Sequence, residues 1–592
     1  MSRYAVDLID SDSWDDQLSG VTMLATFIRQ GADVRCLLLP SKSRIQKLID
    51  TLGWRATASR EMREAAACIV AHLAGDIHLA QFPGAIRHSC NVPLLCIADG
   101  TGEDETLLAY WSNCDQQQEF PHLRSGSRST MHTLIRVTEK IMPEFRHVVQ
   151  KPTSSGCNEL ILQGLTILER LASDHHNCMD ISSTPGLLSK ILAPLCSSTL
   201  IRGINNSSTW ADVVNGTFKV LCSLIRCPGS TGESLRREIS ANQQAISNLK
   251  SILDRSNGAG QELQMRAMEI VTELALDSST NTTEETKENL MNQQLEIFLL
   301  DKESDAISEK LQTTAGRTLA LLTANTKPNS SRVNDSFGRL TKLLDAKNNI
   351  KIRIAAVQIM ENMCVHCDLD KGRVKDTLLP QVLAGIQSDK RGARQRGDAK
   401  QKNSSSAGDE ENQNKLAPGN GDENHNSSEQ VDNSEIQDSP STTDQNESSD
   451  EGNDEQAATK ELQGELLSLT LVIYDKLISP DDFEDAVEKK GLGNGELFVK
   501  KLKTILEENC KETITSLRIV KLCGQIATSM MSRNKYTEQF KNQGFVDSLS
   551  EAKKIMSNLE SCILFAEIDI QLKKIAAPLL SELEKEVLLL VG

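Results

Sequence analysis

The sequence predicts an all-α fold, a right-handed solenoid made by stacking short helical repeats. Three observations predict it. The chain has 592 residues, more than one compact core holds, so several domains or one elongated array are expected. Only 3% of residues are aromatic against 39% hydrophobic, a balance that Leu-, Ile- and Ala-rich helices tolerate and β-sandwiches do not favour. Apolar pairs four residues apart, which share one helix face, return at a regular interval along most of the chain.

The pairs run in order through the sequence. Leu24 and Ile28 lie in "GVTMLATFIRQG", Ile69 and Leu73 in "REAAACIVAHLAGD", and Ile167 and Leu171 in "LILQGLTILERLA". Val220 and Leu224, Ile270 and Leu274, Ile359 and Met363, Ile473 and Leu477, and Leu522 and Ile526 follow. Leu322 keeps the second position but has Thr318 at the first. From Ile28, the intervals between second members are 45, 98, 53, 50, 48, 41, 114 and 49. The 98 is twice 49, which leaves room for one degenerate unit between Leu73 and Leu171. The 114 spans an acidic segment and falls into line without it. A period near 40 to 50 residues is that of armadillo and HEAT repeats, in which no unit buries its apolar face alone and stacking makes the core.

The segment around Ile69 shows how one unit works. "SRIQKLIDTLGW" supplies a preceding helix with Ile45, Leu48, Ile49 and Leu52 on one face. Ala65, Ala66 and Ala67 are small enough for neighbouring helices to approach closely. Gly75 is expected to end the helix with a positive φ, and Pro83 and Gly84 to turn the chain into the next unit.

These residues carry a resemblance. "RIQKLIDTLGW" followed by "EMREAAACIVAHLAGDIHLAQFPGAI" resembles an armadillo repeat. With "NELILQGLTILERLASDHHNC", "TPGLL" and "WADVVNGTFKVL", the chain resembles an uncharacterised plant armadillo-repeat superfamily that includes brassinolide-enhanced proteins. The likeness covers most of 12–400 and 461–592. Members of that group often carry hydrophobic, membrane-inserted segments upstream of the repeats, whereas this chain is expected to start inside its first repeat. In peptide-binding armadillo proteins such as importin-α and β-catenin, an Asn just before the second apolar residue lines the concave groove. The equivalent positions here are Phe27, His72, Arg170, Ser223, Glu273, Leu321, Asn362, Lys476 and Gln525. Only Asn362 matches, so the importin mode of cargo binding is not expected. The candidate partner-binding residues are His72, Arg170, Glu273 and Asn362.

Two stretches break the array. Residues 101–152 show no helical period before "MHTLIRVTEKIM" and read as an irregular or degenerate segment. Residues 388–460, basic then acidic, lack a hydrophobic face and read as a disordered linker. The expected domains are thus N-terminal repeats over 1–100, the irregular segment 101–152, central repeats over 153–387, the linker 388–460, and C-terminal repeats with a cap over 461–592. Residues 403–460 hold 15 Asp and Glu against Lys415 and Lys460, a net −13 of the chain's −17, so the remainder carries −4. A nearly neutral repeat region argues against bulk electrostatic binding of nucleic acid.

Other function classes find little support. No apolar run reaches the roughly 18 residues that span a bilayer, and the N-terminus has no secretory apolar stretch. The odd count of 15 Cys fits free thiols in a reducing compartment, so a cytoplasmic location is expected, with membrane-associated or nuclear ones as alternatives. "CVHC" at Cys364 to Cys367 and "HHNC" at His175 to Cys178 each lack the second ligand pair that structural zinc needs, and Cys364 reads as a small core residue. No phosphate-binding glycine loop, nucleophile elbow or kinase motif occurs. No cofactor, metal or catalytic residue is expected. The reading is a non-enzymatic scaffold that binds another protein on the concave face. The alternative, from the family architecture, is a membrane-peripheral adaptor.

Overall fold

The computed structural model describes residues 2–53, 60–82, 84–85, 155–280, 282–300, 308–325, 330–387, 447–489, 495–565 and 578–592. These residues form helices and turns, with no strand among them. They fall into two compact units, Met1–Thr326 and Lys327–Gly592. Each unit is an all-α stack of helical repeats.

The first unit contains α1 (Ser2–Ile9), α2 (Trp14–Arg29), α3 (Arg35–Leu38), α4 (Lys42–Leu52), α5 (Arg60–Leu73), α6 (Ser155–Leu171), α7 (His175–Ser183) and α8 (Leu187–Leu192). It continues with α9 (Leu200–Asn206), α10 (Ser208–Ile225), α11 (Ser230–Ala241), α12 (Gln243–Leu253), α13 (Gln261–Leu276), α14 (Glu284–Phe298) and α15 (Glu309–Asn325). Every apolar pair of this region lies on a helix of one continuous stack, in which α2, α5, α6, α10, α13 and α15 each pack on the next. A shorter helix backs most of them: α1 on α2, α4 on α5, α9 on α10, α12 on α13 and α14 on α15. The pair residues are buried, except half-buried Ile28. Ile45, Leu48, Ile49 and Leu52 of α4 are buried as their spacing requires, and so are Ala65, Ala66 and Ala67 of α5.

Two expectations for this region need correction. No degenerate unit separates Leu73 from Leu171, because α5 packs directly on α6. The doubled interval comes from chain inserted between two adjacent helices, and residues 101–152 themselves lie outside the described residues. Nor does Gly75 end α5 in a left-handed conformation. The chain tightens into a 3₁₀ turn over Ala74–Asp76, and the positive φ falls on Gly84, at 80°.

Helix starts in this unit follow local chemistry. The side chains of Asp174, Ser207, Asn242 and Thr283 each accept a hydrogen bond from a first-turn N–H, which satisfies a donor that the helix leaves unpaired. Thr318, in place of an aliphatic residue, is buried and donates to Gln294 Oε1 at 2.9 Å. The hydroxyl is tolerated because it has a buried amide to bond.

The second unit contains α16 (Ser330–Leu343), α17 (Ile350–His366), α18 (Leu379–Gln387), α19 (Glu447–Val472), α20 (Pro480–Lys489), α21 (Glu496–Glu508), α22 (Ile514–Ser532), α23 (Thr537–Asn542), α24 (Phe545–Phe565) and α25 (Leu580–Val591). Here α17, α19, α22 and α25 form the stack, backed by α16, α18, α21 and α24. Because α17 packs directly on α19, the repeat is continuous across the acidic insertion. A Cβ added to Gly385 of α18 would stand 2.9 Å from Leu466 Cδ1 of α19, so a larger residue there would have to displace the end of that leucine side chain.

Residues 388–446, most of the expected linker, lie outside the described residues. Its last part is helical, since α19 begins at Glu447 rather than near residue 461. Ala458, Leu462 and Leu466 bury one face of α19. The outer face of the last helix is polar only in its first turns. Glu582, Lys585 and Glu586 are exposed there, but so are Leu588 and Leu589 further along.

Candidate functional site

On a helix whose apolar pair is buried, the residue just before the second pair member sits at the edge of the buried face. In the first unit those residues reach solvent. Arg170 and Leu321 are exposed, and Phe27, His72, Ser223 and Glu273 are half-buried. In the second unit Asn362 and Gln525 are half-buried. Lys476 is exposed but belongs to a π turn over Ile473–Leu477 that follows α19, so it is not on the regular helix face.

The four candidate residues do not converge on one site. His72 Nε2 lies 3.1 Å from Asp33 Oδ1. Asp33 also accepts from the Arg35 side chain and backbone, each at 3.0 Å, and these bonds, then His72, hold its carboxyl far below the usual carboxylate range. Arg170 Nη1 donates to the Ala71 carbonyl at 2.5 Å. That carbonyl belongs to the last turn of α5, where a helix has no internal donor to offer. Arg170 thus caps the neighbouring helix at the level of His72. Glu273 lies on α13, 3.5 Å from Arg226 Nε, and Asn362 lies on α17 of the other unit.

One helical turn earlier on the same face is a stronger constellation, formed by Arg226, Arg266, Glu269 and Arg317. Glu269 of α13 is only 8% exposed at its side chain. Its Oε1 lies 2.7 Å from Arg317 Nη2 of α15. Its Oε2 lies 3.0 Å from Arg266 Nη1 on its own helix and 3.4 Å from Arg226 Nη2 at the end of α10. Burial alone would raise the Glu269 carboxyl, but Arg226, Arg266 and Arg317 reverse this and hold it below the ordinary value. Burial first, then Glu269, pushes the neighbouring Cys222 thiol up. Lys219 and Glu262 pair at 2.9 Å between α10 and α13. The sequence signal for this group is the residue just before the first pair member: Lys219, Glu269 and Arg317 all occupy it. In the second unit Gln358 occupies the same position and donates to Glu465 Oε1 at 3.0 Å. Arg518 of α22 holds both oxygens of Glu465, at 2.7 and 2.9 Å.

Three buried amides away from that position serve the fold. Asn177 accepts from the Leu79 N–H and donates to the Ile77 carbonyl, both at 2.8 Å. Asn248 donates to the carbonyls of Leu195 and Ser197, both at 2.7 Å. Gln312 donates to those of Phe298 and Leu300 at 2.9 and 3.2 Å. These backbone groups lie at helix ends and in the connections that follow, where the helix supplies no partner of its own.

Cys364 is buried, and burial pushes its thiol up to about 12. Cys367 is half-buried and is also raised by burial. Cys178, raised to about 12 by burial and then by Cys227, donates its thiol to the Ala172 carbonyl at 3.0 Å. Among the described residues no group of three or more His, Cys, Asp or Glu is placed to hold a metal ion. No helix among them is long and apolar enough to cross a membrane.

No family model matches the sequence, and no curated protein matches it. Solved helical-repeat structures do align with it. Kap121p aligns over 100% of this chain and 46% of its own, at 10% identity and a TM-score of 0.36. Importin beta aligns over 100% and 57%, at 9% identity and 0.44. SYS-1 aligns over 100% and 99%, at 10% identity and 0.40. The chain spans about half the length of the first two. At this level of likeness nothing about partners carries across, and the fold rests on the chain's own stacked helices.

Proposed function

We propose that the chain is a non-enzymatic scaffold that binds another protein along the exposed stripe of its stacked helices. The observation that carries this reading is the stripe itself. Over α5, α6, α10, α13 and α15, buried pair residues alternate with solvent-reaching ones that differ from helix to helix: His72, Arg170, Ser223, Glu273 and Leu321. Stacked repeats present long continuous surfaces of this kind. A mixed stripe reads a partner through individual side chains rather than through a repeated amide contact to its backbone. Within the second unit, Asn362 and Gln525 occupy the same helical position.

Affinity capture with the intact chain tests the proposal. A stripe variant carries His72→Ala, Glu273→Gln and Leu321→Ala, and an outer variant carries Arg237→Gln on α11. Arg170 is left intact because it caps α5. The reading expects a partner retained by the outer variant and lost by the stripe variant. Partners retained equally by both would overturn it.

A further inference from the structure

The geometry points to Arg226 and Arg317 as a clamp for a single carboxylate side chain on an extended segment of the partner protein. The inference rests on the protein-binding reading above and names the chemistry at one place on that surface.

A buried carboxylate needs compensation, and Arg266, three residues away on the same helix, supplies it to Glu269 at 3.0 Å. Two further guanidinium groups, from the helices on either side, exceed that need. Arg226 stands 3.4 and 3.5 Å from Glu269 and Glu273, longer than a good charge-assisted hydrogen bond. Arg317 reaches Glu269 through Nη2. Their side chains remain 43% and 60% exposed. A guanidinium has five N–H donors, so both heads keep donors for a second acceptor. Glu269 Oε1 fixes Arg317 from below at 2.7 Å, while Arg226 stands more loosely over Oε2, so one arginine is oriented before a ligand arrives and the other is free to turn toward it.

Arg266 faces Glu269 and Glu169, whereas Arg226 and Arg317 share Glu269 and Glu273 and keep heads open to solvent. That pair of heads suits one carboxylate, which a guanidinium takes in two parallel hydrogen bonds. It does not suit a polyanion such as nucleic acid, whose next phosphates would meet Glu262 and Glu273. Exposed Leu321, one turn beyond Arg317, offers an apolar contact beside the charged group.

Selection of random twelve-residue peptides on the full chain tests the clamp. The strongest binders are synthesised and titrated against the native chain, the R226Q/R317Q double variant and R317K, after thermal melts show which variants remain folded. The inference expects the binders to share an Asp or Glu. It expects about tenfold weaker binding to the double variant, the same loss when that acid becomes its amide, and little further loss when both change. R317K, which keeps the charge without the planar fork, should show an intermediate loss. Binders with no shared acid, or acidic binders indifferent to the two arginines, would overturn the clamp. So would failure to select any peptide, or an oligonucleotide whose binding needs both arginines. A captured partner that depends on Glu273 and Leu321 but not on Arg226 and Arg317 would overturn the clamp alone and leave the scaffold reading standing.

Discussion

Arg170 on α6 donates to the carbonyl of Ala71 on α5 at 2.5 Å, across 99 positions of sequence. The bond caps one repeat helix with a side chain from the next and closes the stack where the chain is interrupted. Arg170→Gln should therefore weaken the α5–α6 contact by about 1 kcal/mol and increase hydrogen exchange in the last turn of α5. Unchanged exchange in that turn would show that the bond contributes nothing.

The stack was legible in the sequence because burial imposes a helical period on apolar residues. Leu24, Ile69, Ile167, Val220 and Ile270 announce one helix each, and those helices pack in that order. The count of units was less legible. An interval of 98 residues is the same number whether it holds a missing unit or an insertion, and only the α5–α6 contact distinguishes them. The second unit shows a related limit. The bonds from Gln358 and Arg518 to Glu465 put these three side chains at one level, so Ile473 and Leu477 lie about two turns beyond the level of Ile359. An i, i+4 apolar pair recurs along a long helix, and its spacing does not say which turn meets the neighbour. The charged group around Glu269 was hidden for a different reason. Glu269 and Arg317 share the position just before the first pair member, but Arg226, at the end of α10, does not, and a shared position marks a helix face without saying which charges meet across three helices.

Glu269 gives the fold a defined response to acid. Its carboxyl is held below the ordinary glutamate value of 4.5, so the folded chain resists protonation more than the unfolded one. The resulting stabilisation is whole above about pH 4.5 and is lost as pH falls through the lowered folded-state value. Glu269→Gln should cost about 2 kcal/mol at neutral pH, and its melting temperature should fall less between pH 5 and pH 3 than that of the native chain. Parallel pH dependences would remove Glu269 from this role.

Gly20 sets the distance between α1 and α2. A methyl group there would stand 2.6 Å from the Ala5 carbonyl oxygen and 2.8 Å from Leu8 Cβ. Gly20→Ala should cost roughly 1–3 kcal/mol of overpacking and release α1, seen as earlier proteolysis within Ser2–Ile9. A variant as resistant as the native chain would show that the pair can separate at no cost.

Thiol reactivity should follow burial. Cys36 and Cys562 are exposed, whereas Cys222, Cys364 and Cys523 are buried, and burial raises the last three thiols. At pH 8 an alkylating reagent should label Cys36 and Cys562 in the native chain, and the buried three only after denaturation, as read by peptide mass spectrometry. Rapid native labelling of Cys364 would show that α17 is not packed as described.

The most direct measurement of the central claim is site-specific photo-crosslinking in a cell lysate. A crosslinking side chain replaces Leu321 on the stripe in one sample and Arg237 on α11 in another. A scaffold that binds through the stripe predicts a discrete adduct with another protein from position 321 and none from position 237. Adducts from position 237 alone, or equal adducts from both, would contradict the account and place the partner on a different surface.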